Sequence, residues 1–219
     1  MRPSTCYTLV DMTLWAIVPV KPFGLAKSRL APVLEPGQRV ALSRAVLSQT
    51  LAILQQSPTV TRTLVVSRDP AVLSLARLYQ ANTVSESGQP ELNAALRRAI
   101  SVAQSFGASG VLVLPADLPQ LTREDVAALI APAGEDVAAS IAPDRHHEGT
   151  NGVFVRPATL LDVSFGHGSF ARHLAQLTAR GIQPRIIERP GLQLDLDTPA
   201  DWELFRAASP TALPALESS

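Results

Sequence analysis

Asp117 is the first residue whose type and position indicate chemistry. It follows an apolar run at residues 111–114 and stands between two prolines. Because this run begins after Gly110 and contains no polar residue, it predicts a strand that is buried on both faces. Ligands of open α/β sheets bind at the carboxyl ends of the strands. We therefore expect Asp117 to contact a metal ion or a substrate.

A second acidic cluster, Asp195 and Asp197, comes shortly before the last predicted helix. The two acids alternate along an extended segment, so only one of them needs to face the cleft. Mg²⁺ usually binds one or two carboxylates together with substrate phosphates. Asp117, Asp195 and Asp197 are therefore the candidate Mg²⁺ ligands. Asp201 lies in the first turn of the helix, where an acid stabilises the helix N-terminus, and we interpret it as structural.

Three cations, Lys21, Lys27 and Arg29, lie within nine residues just past the first predicted strand. Cations in a partly desolvated cleft attract phosphate several-fold more strongly than they do in water. The alternative is a solvated loop that happens to be basic. The segment has neither the G-x-x-x-x-G-K-[ST] pattern nor the G-x-G-x-x-G pattern, which excludes a P-loop and a dinucleotide fingerprint.

The segment from Gly166 to Ser169 places two glycines and a serine at the start of a predicted helix. Backbone N–H groups can approach an anion closely there, and the helix dipole favours negative charge. This pattern indicates an anion site, with a simple N-cap by Ser169 as the alternative.

Asn93 also has a structural and a functional interpretation. It could cap a helix, or it could form a hydrogen bond to a nucleotide. The adjacent His146 and His147 do not predict zinc, because no Cys and no H-x-x-x-H spacing accompanies them.

These features together indicate a reaction class. Two anion sites beside one metal ion favour the joining of a nucleotide to a phosphorylated acceptor. The acceptor phosphate is already ionised at neutral pH, so it requires positioning and charge neutralisation rather than a strong base. The sequence is consistent with this reaction because it lacks the G-x-S-x-G motif of a nucleophilic serine.

Alternating strands and helices must position these residues. The apolar patterns predict strands at 14–20, 63–67, 83–84, 111–114, 136–141, 150–157 and 185–187. They predict helices at 36–56, 71–79, 91–103, 123–130, 170–180 and from 199 onward. This alternation is typical of an α/β sandwich with a mostly parallel central sheet. We expect one domain at 14–206, an N-terminal extension at 1–13 and a flexible tail at 207–219.

The composition excludes several classes of protein. Nineteen basic and nineteen acidic residues balance, so no overall field favours nucleic acid or an anionic membrane as a partner. No apolar run reaches the roughly 20 residues that span a bilayer, and residues 1–13 do not resemble a signal peptide. The single Cys6 excludes an internal disulfide and favours a reducing, cytoplasmic location.

Five motifs in order resemble one family, from about Trp15 to Phe205. They are Val-Pro-Val-Lys-Pro-Phe-Gly-Leu-Ala-Lys-Ser-Arg-Leu, Ala-Asp-Leu-Pro, Glu-Gly-Thr-Asn-Gly, Phe-Gly-His-Gly-Ser-Phe-Ala-Arg-His and Asp-Leu-Asp-Thr-Pro-Ala-Asp. Together they resemble the 2-phospho-L-lactate / phosphoenolpyruvate guanylyltransferases of coenzyme F-420 biosynthesis. The resemblance implies a MobA-like, Rossmann-like nucleotidyltransferase fold in a three-layer sandwich, with a homodimer suggested by relatives.

The resemblance also implies substrates and roles. GTP and phosphoenolpyruvate, or 2-phospho-L-lactate, would react with release of pyrophosphate. Asp117 and Asp195 would bind the metal, and Asp117 and Lys27 would be catalytic. The implied contacts of the remaining residues divide between the two substrates: Thr150, Gly166 and Ser169 for the three-carbon acid; Lys21, Lys27 and Arg29 for the nucleotide phosphates; and Asn93 for the region near the nucleotide.

Two alternatives stay open at this point. The first is another MobA-like nucleotidyltransferase, with molybdopterin or a sugar phosphate as its acceptor. The second is a catalytically silent nucleotide-binding module, which is disfavoured because both acids and all three cations are present. Phosphoenolpyruvate and 2-phospho-L-lactate differ by two hydrogens, so the motifs do not choose between them.

Overall fold

The strands of the computed structural model form one sheet. The model describes residues 13–86, 88 and 91–208 of the 219-residue chain. Within these ranges the strands are Leu14–Pro19 (β1), Arg62–Ser67 (β2), Asn82–Ser85 (β3), Gly110–Val113 (β4), Ala138–Pro143 (β5), Thr150–Arg156 (β6) and Arg185–Ile186 (β7). Their spatial order is β3-β2-β1-β4-β6-β5-β7. The predicted mostly parallel sheet is confirmed.

Helices connect these strands and follow the last of them. In the described part of the chain they are Pro36–Gln55 (α1), Pro70–Leu78 (α2), Leu92–Ser105 (α3), Arg123–Ile130 (α4), Ser169–Ala179 (α5), Pro190–Gln193 (α6) and Pro199–Ala208 (α7). None of the described helices is long and apolar enough to cross a membrane. Residues 1–12 of the predicted N-terminal extension and residues 209–219 of the predicted tail lie outside the described residues, as do residues 87, 89 and 90.

Strand direction decides which residues meet at the carboxyl ends of the parallel strands. Strands β1, β2, β3 and β4 pair in parallel, whereas β6 is antiparallel to both of its neighbours, β4 and β5. Val113 at the end of β4 pairs with Val153. Thr150, three residues earlier on β6, therefore lies beyond the carboxyl end of β4, on the side where Asp117 follows that strand. The start of β6 is thus a neighbour of the Asp117 loop.

Two cores lie on the two faces of the sheet. Successive residues of a strand point to opposite faces, and β1 follows this rule: Ala16 and Val18 pack in one core, Trp15 and Ile17 in the other. Helices α1, α2 and α4 cover the first face, and α3 and α5 cover the second. The predicted three-layer sandwich is confirmed.

A third core cluster fixes the segment that carries the second acidic pair. Leu196 is fully buried against Trp202 and Phe205 of α7 and against Leu42 of α1. The backbone N–H of Leu196 donates to the carbonyl oxygen of Asp117, with a distance of 3.0 Å. Side-chain burial and one backbone hydrogen bond therefore dock this segment beside the end of β4.

Most predicted elements are confirmed, with three differences. Strand β5 begins at Ala138 rather than at Asp136, whose side chain is almost fully exposed. The single turn α6 follows Arg189 and was not predicted, because four residues are too few to show a helical period. The last helix reaches Ala208, two residues past the predicted end of the domain at 206.

Candidate functional site

Asp117, Asp195 and Asp197 meet at the carboxyl edge of the sheet. The hydrogen bond from Leu196 to the Asp117 carbonyl places the two other acids on either side of that contact. Because Leu196 points into the core, both of its neighbours in the extended segment point away from the core. The sequence argument required only one of the pair to face the cleft, and in the structure both are turned away from the core. Residues two apart in an extended segment share a face.

The three carboxylates perturb one another. Burial raises the pKa of Asp117, Lys27 opposes this shift, and the nearby Asp197 adds to it. Burial raises the pKa of Asp195 to about 6, and the charge of Asp117 contributes in the same direction. Like charges in a partly desolvated cleft destabilise each other unless a cation joins them. The cluster is therefore electrostatically suited to bind positive charge.

Lys27 supplies one such charge. Its Nζ atom lies 3.4 Å from Oδ1 of Asp197 and 3.8 Å from Oδ2 of Asp117, and only 6% of its side chain is exposed. Its backbone is left-handed, with φ of 56°, an uncommon conformation for a non-glycine residue. A solvated basic loop is therefore the wrong interpretation for Lys27. Lys21 is exposed, and so is 75% of the Arg29 side chain, whose Nη1 atom lies 4.0 Å from Oδ2 of Asp197.

Asp117 also has an oxygen that fits a metal ion. Its Oδ1 atom is buried and has no hydrogen-bond partner within residues 13–86, 88 and 91–208. A buried carboxylate oxygen normally needs such a partner. The same part of the chain has no group of three or more His, Cys, Asp or Glu side chains arranged to hold a metal. The donor set thus suits Mg²⁺, which accepts one or two carboxylates and completes its shell with phosphate oxygens and water.

The adjacent histidines contact neighbouring side chains. Nε2 of His147 lies 3.0 Å from Glu188, and its ring packs edge-on against Phe170 at the start of α5. Nε2 of His146 accepts a hydrogen bond from Arg145 at 2.9 Å. Each ring thus has a charged side chain as its partner.

A buried hydroxyl pair lies at the start of β6 and α5. Oγ of Ser169 lies 3.1 Å from Oγ1 of Thr150, and 0% of Ser169 and 5% of Thr150 are exposed. The N-cap position of α5 is Gly168, whose φ of 69° favours glycine, and no side chain caps this helix. The interpretation of Ser169 as a simple N-cap is therefore wrong. Gly166, with φ of 116°, forms the preceding turn.

His173 contacts this pair, and the sequence predicts no role for it although the motif that begins at Phe165 ends on it. Its Nδ1 atom lies 3.0 Å from Oγ1 of Thr150, and its Nε2 atom accepts a hydrogen bond from the backbone N–H of Ser164 at 2.9 Å. Burial, and next the charge of Arg172, lower the pKa of His173 to about 4. The signal that could have found it is its spacing. His173 follows Ser169 by four residues, so the two share one face of α5.

Asn93 binds the loop that leads to this pair. Its Nδ2 donates to the carbonyl oxygen of Phe165 at 3.1 Å, and its Oδ1 accepts from the N–H of Phe165 at 2.7 Å. The N-cap position of α3 is Glu91, so the capping interpretation of Asn93 is wrong. The structure places both polar ends of its amide on the loop. Its contact with a nucleotide stays a prediction.

Further contacts hold the same loop and the acidic segment. Arg172 donates to the carbonyl oxygens of Ser164 and His167, at 2.9 and 2.6 Å. Asp201 accepts from the N–H and hydroxyl of Thr198 and binds Arg145 at 2.6 Å. The structural role predicted for Asp201 is confirmed. Both segments are thus positioned by contacts outside the cleft.

This arrangement of side chains can bind a divalent cation and two anions. An acidic cluster with one buried ammonium group can hold a divalent cation and a polyphosphate. A pair of buried hydroxyl groups can donate a hydrogen bond to a second anion. Both lie at the edge of the sheet where the parallel strands end, which is the ligand-binding edge of open α/β sheets.

Comparison with protein families and curated proteins gives a consistent result. A family model described as "Guanylyl transferase CofC like" matches residues 14–208. The chain is 45% identical to the phosphoenolpyruvate guanylyltransferase of Rubrobacter xylanophilus, over 90% of this chain and 95% of that protein. It is 34% identical to the 2-phospho-L-lactate guanylyltransferase of Methanothermobacter thermautotrophicus, over 87% of this chain and 82% of that protein.

Solved structures show the same fold at low sequence identity. A Desulfovibrio desulfuricans G20 protein described as a nucleotide-diphospho-sugar transferase is similar with a TM-score of 0.75 and 16% identity, over 92% of this chain and 90% of that one. Glucosyl-3-phosphoglycerate synthase from Mycobacterium tuberculosis, in complex with Mg²⁺ and uridine diphosphate, is similar with a TM-score of 0.55 and 15% identity, over 81% and 69% of the chains. These likenesses confirm the predicted nucleotidyltransferase fold.

Proposed function

The chain belongs to the CofC-like guanylyl transferase family, and from this premise we propose that it joins GMP from GTP to phosphoenolpyruvate, with release of pyrophosphate. The observation that carries the proposal is the juxtaposition of the acidic cluster, the buried Lys27 and the buried hydroxyl pair at one edge of the sheet. In coenzyme F-420 biosynthesis, the pathway indicated by the sequence motifs, this step would activate the three-carbon acid. The names of the relatives support both this acid and 2-phospho-L-lactate.

The acceptor's phosphate is the nucleophile in this reaction. One of its oxygens attacks the α-phosphorus of GTP, a new P–O–P link forms, and the bond between the α- and β-phosphates breaks. The two electrons of that bond leave with pyrophosphate. Because the attacking oxygen is already ionised, the protein needs to align the two substrates and neutralise their charges.

The acidic edge is assigned to the nucleotide. Asp117, together with Asp195 or Asp197, would hold Mg²⁺, which when bound neutralises phosphate charge as a Lewis acid. The orphaned oxygen of Asp117 supports this assignment. Lys27 is assigned a catalytic role, since its partly desolvated ammonium can stabilise the charge that develops around the α-phosphorus. Lys21 and Arg29 are exposed near the same edge and would bind the outer phosphates.

The hydroxyl pair is assigned to the acceptor. Thr150 and Ser169 present hydroxyl donors, and the turn at Gly166 allows backbone to approach the acid. A hydrogen bond to an ionised oxygen is stronger than one between neutral groups. Holding the acceptor phosphate there would direct one of its oxygens toward the nucleotide.

Two further properties are proposed with the reaction. A reducing, cytoplasmic location is supported by the single Cys6 in the sequence. A homodimer is supported by the family resemblance of the motifs. Light scattering on the purified full chain gives the mass in solution, and a monomer mass at all concentrations would contradict the dimer.

A substrate panel tests the reaction. Pyrophosphate release should require a nucleotide, Mg²⁺ and an acceptor together, with GTP preferred over ATP, CTP and UTP. Among phosphoenolpyruvate, 2-phospho-L-lactate and a sugar 1-phosphate, we expect phosphoenolpyruvate to give the highest kcat/KM, because the 45% identical relative carries that name. Release with a sugar 1-phosphate, and with neither three-carbon acid, would contradict the proposal.

A further inference from the structure

His173 contacts the hydroxyl pair of the proposed acceptor site from the buried side of that pair. It is fully buried, packs edge-on against Phe165 and contacts Thr150 through Nδ1. We propose that His173 is a positioning residue, which orients the hydroxyl protons of Thr150 and Ser169 so that one of them is donated to the acceptor's phosphate. This inference rests on the proposed function, because it assigns a cause to the anion affinity of that site.

The backbone fixes the tautomer of His173. The N–H of Ser164 donates to Nε2, and a backbone N–H cannot accept a hydrogen bond. In the neutral ring Nε2 is therefore without a proton, and the ring proton lies on Nδ1. The 3.0 Å contact between Nδ1 and Thr150 is consequently a donation from the ring to the hydroxyl oxygen.

Counting protons gives the consequence for the pair. Thr150 and Ser169 have two hydroxyl protons, and their mutual hydrogen bond uses one. Because His173 is the donor in its own contact, neither hydroxyl proton is used on the ring. In the part of the chain that the structure describes, neither hydroxyl has another hydrogen-bond partner. One proton therefore remains for a ligand.

The opposite tautomer would abolish this donor. If Nδ1 lacked a proton, Thr150 would donate to the ring and Ser169 would donate to Thr150. Both protons would then be used inside the protein, and the pair would offer lone pairs to the ligand. A phosphate would be repelled, because oxygen lone pairs would face its negative oxygens. The direction of the Ser164 hydrogen bond thus decides whether the hydroxyl pair can donate a hydrogen bond to a ligand or can only accept one.

The surroundings keep the ring neutral. Burial is the main cause that lowers the pKa of His173 to about 4, and the adjacent Arg172 acts in the same direction. At neutral pH the ring therefore carries one proton and keeps one acceptor. Both nitrogens are needed, one to receive the Ser164 N–H and the other to donate to Thr150.

A competing role for His173 is purely structural. Its bond to Ser164 could serve only to hold the loop that Asn93 and Arg172 also hold. Two substitutions separate the roles. An Asn amide reaches about as far as Nδ1, so His173→Asn can keep a donor toward Thr150 and loses the contact with Ser164. A Gln amide reaches the position of Nε2, so His173→Gln can keep the acceptor for Ser164 and loses the donor.

The experiment compares these two variants with the wild type. Affinity for phosphoenolpyruvate is measured by calorimetry, and its KM by pyrophosphate release at saturating GTP and Mg²⁺. We expect His173→Gln to weaken both by about tenfold or more, which is the effect of losing a hydrogen bond to a charged group. His173→Asn should stay within about threefold of the wild type, and the KM for GTP should change little in both. Equal losses, a larger loss in His173→Asn or no loss in either would overturn the inference.

A second measurement needs no variant. In the wild-type chain labelled with ¹⁵N-histidine, the ring nitrogens of His173 should show a protonated Nδ1 and an unprotonated Nε2. The opposite tautomer would overturn the inference even if a variant fails to fold. Failure of the proposed function is distinct from both results, because it would appear as wild-type protein that binds phosphoenolpyruvate or inorganic phosphate but transfers no GMP.

Discussion

Asp117 combines three properties at the end of a buried strand. Its carboxyl group is partly desolvated, one of its oxygens is buried with no hydrogen-bond partner among the described residues, and its backbone carbonyl anchors Leu196. Only the third property serves the fold. The other two are unfavourable until a cation binds, which is the usual condition of a carboxylate kept for function.

Asp117→Asn is expected to remove activity without unfolding the protein. The neutral amide has the same shape and no charge to desolvate, so the melting temperature of the metal-free protein should stay unchanged or rise. GMP transfer should fall by about a hundredfold or more, the size of effect seen when one electrostatic stabiliser is removed. Asp136→Asn, at an almost fully exposed side chain, is the control and should retain wild-type turnover. Unchanged turnover in Asp117→Asn would refute the metal assignment.

His173 gives the stability of the protein a defined pH dependence. Its pKa is about 4 in the folded state, against an ordinary value of 6.5. Between these values the unfolded chain binds a proton that the folded chain does not, so the folded state loses stability as the pH falls from 6.5 to 4. The loss from this one group is at most about 1.4 kcal/mol per pH unit.

The variant His173→Asn should therefore lose less stability over that range. Urea unfolding at pH 7, 6 and 5 gives the free energy of unfolding at each pH, and the slope should be smaller in the variant than in the wild type. His146→Asn, at an exposed histidine, is the control and should keep the wild-type slope. Parallel slopes for the wild type and His173→Asn would contradict the lowered pKa.

The loop from Ser164 to Gly168 is the element on which the acceptor site depends. Asn93 from α3 and Arg172 and His173 from α5 all bind its backbone. All of these contacts are made by side chains of α3 and α5 to backbone atoms of the loop. The loop is therefore fixed from outside, and the hydroxyl pair can be positioned before the acceptor binds.

Asn93→Ala tests this dependence. The substitution leaves the N–H and the carbonyl of Phe165 without their present partner, and each lost hydrogen bond costs about 1 kcal/mol. We expect the KM for phosphoenolpyruvate to rise severalfold, with a smaller change in the KM for GTP. Asn82→Ala, at an exposed position on β3, is the control. A rise confined to the KM for GTP would instead support the nucleotide contact that the motif resemblance implies for Asn93.

The sequence predicts an element well when the residues that define it are neighbours in the chain. The bounds of α4, Arg123–Ile130, agree with the prediction, and in the structure Thr122 and Asp125 form a capping box at its start. Strand β5 was placed two residues early because Asp136 and Val137 continue its sequence pattern, whereas both are exposed in the fold. The antiparallel direction of β6 depends on pairing between distant segments, so no local pattern could show it.

The same distinction applies to the site. Asp117 was found because it directly follows a buried strand, and the acidic pair was found because it precedes a helix. The shared orientation of Asp195 and Asp197 was missed, although the period of an extended segment predicts it. His173 was missed because a single histidine on the apolar side of a helix is typical of a core. Its role depends on Ser164 and Thr150, which only the fold brings to it.

The whole molecule is organised around one edge of one sheet. The family model matches residues 14–208, which is close to the range that the structure describes continuously from β1 to α7 apart from residues 87, 89 and 90. The site draws on the loop after β1, on β4, β6 and α5, and on the segment before α7. Its residues therefore span most of the matched range, and none of them lies outside it.

A shortened chain tests whether this range is sufficient. A protein with an initiator methionine followed by residues 13–208 should fold and keep kcat/KM within about threefold of the full chain, as expected when removed ends contribute no site residue. The comparison uses circular dichroism, melting temperature and pyrophosphate release. A folded but inactive short chain would show that residues 1–12 or 209–219 contribute to the reaction.

The most direct test of the central claim is the identity of the product. The full chain is incubated with GTP, phosphoenolpyruvate and Mg²⁺, and the products are analysed by mass spectrometry, with Asp117→Asn in parallel. We predict pyrophosphate and one new compound in which GMP is joined to the phosphate of the acid, both absent from the variant and from mixtures without Mg²⁺. GTP consumed only to GDP or GMP, with no joined product, would contradict the account.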